Sequence, residues 1–251
     1  MCGIVAGCSY RNIVPILTEG LRRLEYRGYD SCGVAVVDEN RLKRARTVSR
    51  VQDLIEQTEK NGIKGLSGIA HTRWATHGAP EICNTHPHFS HDQIAVVHNG
   101  IIENYEPLRE ELKAKGYVFV SETDTEVIVH LVHSYYEGDL LEAVKKTVLR
   151  LKGAYGIAVS CKDEPDRVIG AKMSAPLVVA LGDKENFIAS DPLALAGVTD
   201  CYIYLEDGDV ADIRPTSAQI WNRLGDEFVE IQRPVSVVQG FTSGIALGPY
   251  T

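Results

Sequence analysis

The sequence predicts an α+β fold in which two β-sheets pack face to face and helices cover both outer surfaces. Candidate strands outnumber candidate helices, and many of the strands are nearly continuous apolar runs, as is typical of sheets that are covered on both faces. The helical patterns cluster after the first strand and between two strand-rich regions. A four-layer stack in the order helix, sheet, sheet, helix buries all of these elements.

The chain opens on a buried strand and then a helix. Residues 3–8 form a short apolar run bounded by turn residues, so Cys2 lies at the leading end of a strand. Apolar residues recur at helical spacing over 13–24, before a polar turn. Further strands are predicted at residues 32–37, 67–71, 94–98, 155–160, 168–172, 177–181, 187–190, 201–205 and 210–213, and further helices at 105–112, 127–135 and 140–151.

Composition sets the limits of the folded domain. Residues 234–251 carry no charge and three glycines, which is typical of irregular chain or of a linker. We therefore assign residues 1–233 to one domain and residues 234–251 to an irregular tail or truncated linker. The basic residues between positions 41 and 50 are interpreted as a solvated strand and turn.

The bulk properties favour a globular protein of the cytoplasm. A chain of 251 residues can bury a large core without disulfide bonds. The six cysteines form no C-x-x-C pair, and neither a signal peptide nor a long apolar segment is seen, which indicates a reducing compartment. The net charge of -8 argues against nucleic acid or an anionic membrane as a partner, and favours a small molecule.

The first candidate for chemistry is Cys2. An initiator methionine before a small residue is normally removed, which would give Cys2 both a free thiol and a free α-amine. An α-amine with a reference pKa of about 7.7 to 8.0 can accept a proton near neutral pH. Because the thiolate is the nucleophilic form of cysteine, one residue would supply both nucleophile and base. The alternative is a cysteine that is merely second in the chain.

A second candidate region is residues 71–78, which is rich in side chains that bind anionic or amide groups. Arg73 can hold a carboxylate through two parallel hydrogen bonds. In the structural alternative, Arg73 forms an ion pair and Trp74 fills the core.

Two further polar pairs follow along the chain. Asn99 and Gly100 end an apolar strand, where a side-chain amide and a backbone N–H could stabilise one oxyanion; an Asn-Gly turn is the alternative. Thr123 or Asp124 precedes a helix and suits its N-cap, although a carboxylate there could also hold a substrate ammonium group. Local reasoning leaves both pairs of alternatives open.

Taken together, five segments resemble the N-terminal-nucleophile glutamine amidotransferases, in order over most of the chain. The segments are CGIV at 2–5, EYRGYDS at 25–31, GIAHTRWATHG at 68–78, VHNGI at 97–101 and SETDTEV at 121–127. Within this class, residues 24–31 and 121–124 look like the glutaminase domains of the glutamine:fructose-6-phosphate aminotransferases. Relatives that act on phosphoribosyl pyrophosphate or aspartate fit less well.

The resemblance implies a four-layer αββα sandwich of the N-terminal-nucleophile hydrolase type and a role for each matching residue. Cys2 would be nucleophile and base, and Asn99 and Gly100 would stabilise the oxyanion. Arg73 would hold the α-carboxylate of glutamine and Asp124 its α-ammonium group, beside a closing loop at 74–81. The other candidates for contact with the substrate are Trp74, Thr76, His77, His86 and Gly100.

The resemblance also implies a reaction and a partner. The Cys2 sulfur would attack the side-chain amide of L-glutamine, ammonia would leave, and water would cleave the γ-glutamyl thioester to glutamate. The ammonia would aminate fructose 6-phosphate in a synthase half with two sugar-isomerase domains, which these residues do not include. No cofactor is expected. The sequence leaves open the oligomeric state, with a homo-oligomer as one alternative, and the physiological acceptor.

Three other functions compete with this interpretation. A metal-binding protein is suggested by six histidines in one region, but their spacing is irregular and we expect no metal site. A non-catalytic module that senses glutamine or docks on a synthase would keep Arg73 and Asp124 without needing a processed Cys2. A glutaminase domain could also serve a different acceptor. The six histidines are His71, His77, His86, His88, His91 and His98.

Overall fold

The structure is a computed structural model that describes residues 1–75 and 77–238. The described strands are β1 (Gly3–Ser9), β2 (Ser31–Asp38), β3 (Arg41–Thr47), β4 (Ser67–Arg73), β5 (His88–Ser90), β6 (Ile94–Ile102), β7 (Gly153–Cys161), β8 (Val168–Met173), β9 (Val178–Leu181), β10 (Glu185–Ala189), β11 (Cys201–Tyr204), β12 (Asp209–Arg214), β13 (Ser217–Leu224), β14 (Glu227–Ile231) and β15 (Ser236–Val237). The described helices are α1 (Val14–Leu24), α2 (Val51–Lys60), α3 (Tyr105–Ala114), α4 (Thr125–Tyr135) and α5 (Leu140–Arg150).

The strands form two antiparallel sheets. The first sheet has eight strands in the order β15-β11-β9-β10-β1-β4-β2-β3, and the second has seven in the order β14-β13-β12-β8-β7-β6-β5. Helices α1 and α2 share an apolar core with the outer face of the first sheet, and α3, α4 and α5 share another with the second sheet. A third core lies between the sheets. The predicted four-layer αββα sandwich is confirmed.

The apolar run at the N-terminus is buried on both faces, as predicted. In β1, Ile4, Ala6 and Cys8 contribute to the core between the sheets, whereas Val5 packs toward the helices. Successive side chains of a strand point to opposite faces, so a strand covered on both sides has no polar face. Cys2 continues the even-numbered series toward the space between the sheets.

Every strand and helix expected from the sequence is present, with bounds that differ by at most four residues. The sequence did not predict α2, β13, β14 or the three-residue strand β5. Only three residues of α2 are buried, and β13 and β14 lie at the end of their sheet with largely exposed or half-buried side chains. Their apolar pattern is therefore too weak to identify them.

Two other expectations need correction. The basic segment forms the edge strand β3, but Arg44 and Arg46 are half-buried there and donate hydrogen bonds to Pro87 O and Thr85 O, so this segment is not simply solvated. In the tail, β15 pairs with β11, so the chain is regular at that point. Residues 239–251 lie outside the described residues, and the domain limit at 233 stays a prediction. No helix among the described residues is long and apolar enough to span a membrane.

Candidate active site

Strand pairing brings the first candidate residues to one end of the sandwich. Gly3 of β1 pairs with Thr72 of β4 in antiparallel register, so the adjoining residues Cys2 and Arg73 lie side by side. Ile69 of β4 faces the core between the sheets, and alternation places Arg73 on the same face. Both side chains therefore reach the space between the sheets where β1 begins and β4 ends.

The second sheet contributes Asn99 to the same space. Ala95 and Val97 of β6 face the core between the sheets, and Asn99 continues that series. Asn99 lies inside β6 and pairs with Gly156 of β7, so the Asn-Gly turn is wrong. Its Nδ2 donates a hydrogen bond to Cys2 O at 3.2 Å.

The orientation of the Asn99 amide is fixed from behind by His71. His71 Nε2 lies 2.9 Å from Asn99 Oδ1 and 3.0 Å from His98 O. Both of these oxygens only accept, so Nε2 carries the hydrogen. This hydrogen bond directs the amide nitrogen of Asn99, which is the donor that an oxyanion requires, toward Cys2.

Glycine is required at position 100. Gly100 has φ of +120°, and a Cβ atom there would lie 2.2 Å from Ala154 O in the neighbouring strand. A side chain would be excluded both by the backbone conformation and by the contact. The strand can therefore bring its backbone close to β7 and leave Gly100 at the mouth of the site, where it is exposed.

The sulfur of Cys2 contacts the backbone of Trp74. The Trp74 N–H donates to Sγ at 3.1 Å, and the thiol donates to Trp74 O at 3.5 Å. Burial raises the pKa of the Cys2 thiol, although the hydrogen bond from Trp74 acts in the opposite direction. The thiol is therefore protonated near neutral pH, and its use as a nucleophile requires a nearby base.

Arg73 is buried and surrounded by the loop that follows it. Its guanidinium donates to Ala79 O and Gly78 O, each at 3.1 Å, and to His77 O. A carboxylate oxygen of Asp30 lies 3.5 Å away. The ion pair of the structural alternative is thus present, and it also holds the guanidinium at the edge of the cavity described below.

Trp74 does not fill the core. Its side chain is 53% exposed, and its ring lies over Gly28, where a Cβ atom would approach to 2.6 Å. The structural alternative for Trp74 is therefore wrong. The ring covers Gly28 of the segment at 25–31, so two of the segments that carried the resemblance meet beside Cys2.

Asp124 stands at the N-cap position of α4 but does not cap the helix. Its side chain makes no capping hydrogen bond, and Oδ2 instead accepts from the Ile102 N–H at 2.7 Å. The N-cap alternative is therefore wrong for Asp124. The carboxylate is only 3% exposed, and it is tied to the end of β6 rather than to its own helix.

The candidate residues from five separate parts of the chain line one cavity of about 500 Å³. Chemically, this cavity offers a thiol, an amide donor, a guanidinium group and a carboxylate. An amino acid with an amide side chain presents the complementary groups. Thr76 lies outside the described residues. The candidate residues that line the cavity are Cys2, Arg73, Trp74, His77, His86, Asn99, Gly100 and Asp124.

Four of the six crowded histidines form a buried cluster, and two of these four, His86 and His98, line the cavity. The rings of His71 and His86 stack with centroids 3.9 Å apart, and His88 meets His86 edge-on at 4.8 Å. His86 Nδ1 accepts from the His98 N–H at 3.2 Å. Within residues 1–75 and 77–238, no three His, Cys, Asp or Glu side chains are arranged to hold a metal ion. Aromatic packing and hydrogen bonding account for the cluster.

This cluster should make the protein sensitive to acid. Burial lowers the pKa of His71 and His88 to about 3, and lowers that of His86 and His98 as well. The unfolded chain binds protons at pH values below about 6.5, where the folded protein does not, so stability present above that pH is lost as the pH falls toward 3. For each proton that only the unfolded chain binds, the free energy of unfolding falls by about 1.4 kcal/mol per pH unit.

The measurement is the free energy of unfolding in urea between pH 7.5 and 5. The slope of the unfolding free energy against pH reports how many more protons the unfolded chain binds than the folded protein. In His88→Gln, which removes one buried imidazole, this difference should fall by about one proton. The matched control is Gln52→Ala, because Gln52 is exposed and has no titratable group, so this change should leave the slope as it is. A stability that does not vary over this pH range would contradict the expectation.

Sequence reasoning missed three residues that support the site. Asp30 accepts a hydrogen bond from the Ala75 N–H as well as facing Arg73, and it belongs to the segment at 25–31, which offered a signal. Asn84 and Glu122 connect the loop after Arg73 to the segment that contains Asp124. No local pattern distinguishes Asn84, because its contacts are distant in sequence.

Comparisons with known proteins agree with this geometry. A family model described as a glutamine amidotransferase domain matches residues 73–196. Over 255 aligned residues, the chain is 56% identical to the isomerizing glutamine–fructose-6-phosphate aminotransferase of Bordetella pertussis, and the alignment covers 100% of the chain. The chain belongs to the glutamine amidotransferases.

The amidotransferase domain spans 41% of the length of the B. pertussis enzyme. It is 59% identical over 230 residues to the enzyme of the same name from Pseudomonas aeruginosa, with 90% of the chain and 38% of that enzyme covered. Among solved structures, glutamine phosphoribosylpyrophosphate amidotransferase from B. subtilis matches with a TM-score of 0.76 at 25% identity, covering 88% of this chain and 49% of that one. The family predicted from the sequence is confirmed.

Proposed function

We propose that the amidotransferase domain hydrolyses L-glutamine with Cys2 as the nucleophile. One observation carries this proposal: the Cys2 thiol shares a single cavity with Asn99, Arg73 and Asp124. Arg73 would bind the α-carboxylate of glutamine and Asp124 its α-ammonium group. The side-chain amide would then extend toward the sulfur, beside the donors of Asn99 and Gly100.

Removal of Met1 would supply the base. Met1 is 72% exposed and lies at the cavity, so it is accessible to an aminopeptidase. The freed α-amine of Cys2 would accept the thiol proton as sulfur forms a bond to the amide carbon. It would return that proton to the departing nitrogen as the C–N bond breaks and ammonia leaves. Water would then cleave the thioester and release glutamate, which restores the thiol.

The acceptor of the ammonia is proposed to be fructose 6-phosphate, giving glucosamine 6-phosphate. The proposal rests on the names of the relatives that are 56% and 59% identical to the chain. The acceptor site would lie in a synthase half outside these 251 residues. Glutamine, and that synthase half as a domain or separate chain, are thus the proposed partners. All six cysteines are free thiols, which fits a cytoplasmic location.

The test measures ammonia and glutamate released from L-glutamine by protein that begins at Cys2. Equal amounts of both products are expected, whereas a glutamine-sensing module would bind glutamine and release neither. Adding fructose 6-phosphate with a sugar-isomerase chain should convert the ammonia to amino sugar. If the ammonia is consumed only when another electrophile is supplied, the acceptor is a molecule other than fructose 6-phosphate.

Loss of the Asn99 amide should slow the reaction without weakening substrate binding. We expect Asn99→Ala to lower kcat by about 100- to 1000-fold, because a preorganised donor acts on the charge that develops in the transition state. KM for L-glutamine should change little. A rise in KM with unchanged kcat would contradict the oxyanion role and would place Asn99 among the groups that bind the ground state.

A further inference from the structure

Asn84 is a buried amide that does not line the cavity. It ends the short 3-10 turn Ile82–Asn84 and is 0% exposed. Its Nδ2 donates to Ala79 O and to Glu122 Oε2, each at 3.0 Å, and its Oδ1 accepts from the Glu122 N–H at 2.9 Å. Both ends of the amide are thus engaged, and they join two segments that are far apart in sequence.

Each of these segments leads to a charged group of the cavity. Ala79 O, which accepts from Asn84, also accepts from Arg73 Nη1 at 3.1 Å. Glu122 lies two residues before Asp124 in the chain. The Glu122 carboxylate also accepts from the Ala79 N–H at 3.4 Å, which closes a ring of hydrogen bonds around Asn84. A short path of hydrogen bonds therefore connects the guanidinium of Arg73 to the segment that carries Asp124.

The two segments approach closely only because a glycine is present. Gly78 has φ of +82°, and a Cβ atom there would lie 2.6 Å from Asn84 Nδ2 and 3.2 Å from Glu122 Cβ. The loop after Arg73 is therefore packed directly on the Asn84 amide. A shift of this amide would move the loop carbonyls that hold Arg73.

We propose that Asn84 is a positioning residue that sets the separation between Arg73 and Asp124 and so makes the site selective for ligands with both α-charges. This inference rests on the proposed function, in which Arg73 and Asp124 bind the two charges on the α-carbon of glutamine. Those charges have a fixed separation in the ligand, so both contacts form together only when the protein groups match it. A ligand that keeps only one of the two α-charges can shift to meet the single protein group that binds it, so its binding depends little on that separation.

The test compares L-glutamate, which has both α-charges, with glutarate, which lacks the α-ammonium group, and 4-aminobutanoate, which lacks the α-carboxylate. In the wild type and in Asn84→Ala, the half-saturating concentration of L-glutamate, glutarate and 4-aminobutanoate is measured by protection of Cys2 from alkylation. We expect Asn84→Ala to weaken binding of L-glutamate roughly 10- to 100-fold, and binding of each ligand that lacks one α-charge less than about threefold. The KM for L-glutamine should rise in proportion to the L-glutamate effect, with a smaller change in kcat.

Two further variants keep the test decisive. Glu122→Ala removes an exposed acceptor from the same ring and should reduce the preference for L-glutamate in the same direction, even if Asn84→Ala folds poorly. The matched control is Asn186→Ala, since Asn186 is 5% exposed and donates to Arg214 O and Ser217 O away from the cavity. This control should lower thermal stability and leave the ligand preference unchanged.

The outcomes separate this inference from the proposed function. The positioning role is overturned if Asn84→Ala or Glu122→Ala weakens the binding of all three ligands equally. It is also overturned if binding of L-glutamate is not weakened. A wild type that prefers L-glutamate over the ligands that lack one α-charge, but releases no ammonia from glutamine, refutes the hydrolytic function instead. In that case the variant ligand preferences still decide the role of Asn84.

Discussion

Cys2→Ala is expected to abolish ammonia release from L-glutamine, with a loss of about 10⁴-fold or more in kcat. The side chain removed is the proposed nucleophile, and in the structure no other cysteine lines the cavity that holds Asn99, Arg73 and Asp124, within the residues described. Without the sulfur, no thioester forms and the remaining groups can only bind the substrate. The measurement is the rate of ammonia and glutamate release at saturating L-glutamine.

Two controls distinguish this chemistry from damage to the fold. Cys201→Ala replaces a partly exposed cysteine of β11 and should retain wild-type turnover. Cys2→Ala itself should still bind L-glutamate, because Arg73 and Asp124 are unchanged. Full turnover by Cys2→Ala would refute the nucleophile assignment, whereas loss of ligand binding by this variant would point to a structural defect.

Blocking the α-amine of Cys2 is expected to lower kcat by about 10²- to 10⁴-fold, as loss of a general base typically does. Burial raises the pKa of the Cys2 thiol, so formation of the thiolate requires a proton acceptor close to the sulfur. In the structure, the amine belongs to Met1 and donates to Arg27 O at 3.1 Å. An amine at that position, with Cys2 N in a peptide bond, cannot serve the sulfur in the same way.

The experiment compares a blocked form, which carries an N-terminal extension, with the free form made from it by a protease that removes the extension. The free form has Cys2 as its N-terminal residue. Mass spectrometry verifies each terminus, and ammonia release is then compared. Equal turnover by the blocked and the free form would disprove the role of the α-amine. Binding of glutamine without turnover by either form would favour the glutamine-sensing module instead.

The sequence by itself determined the layers of the fold and most of the cavity. Apolar runs identify strands covered on both faces, and strict alternation along a strand then decides which side chains point between the sheets. The resemblance of their motifs to the glutamine amidotransferases assigned Cys2, Arg73 and Asn99 to one site, and the structure places them around one cavity. The strands follow from local periodicity, whereas the grouping of these three residues rests on the resemblance of their motifs.

Tertiary structure alone decided how the polar residues are used. The local sequence left both a helix cap and a contact with substrate open for Asp124, and in the structure its carboxylate accepts a hydrogen bond from Ile102 of β6. Trp74 lies over Gly28, and Asn84 connects Ala79 to Glu122. A buried polar group must find a partner wherever the folded chain provides one. That partner is set by the packing of distant segments, so no local pattern could identify it. The strands, by contrast, were determined by burial of their own side chains, which the local sequence shows.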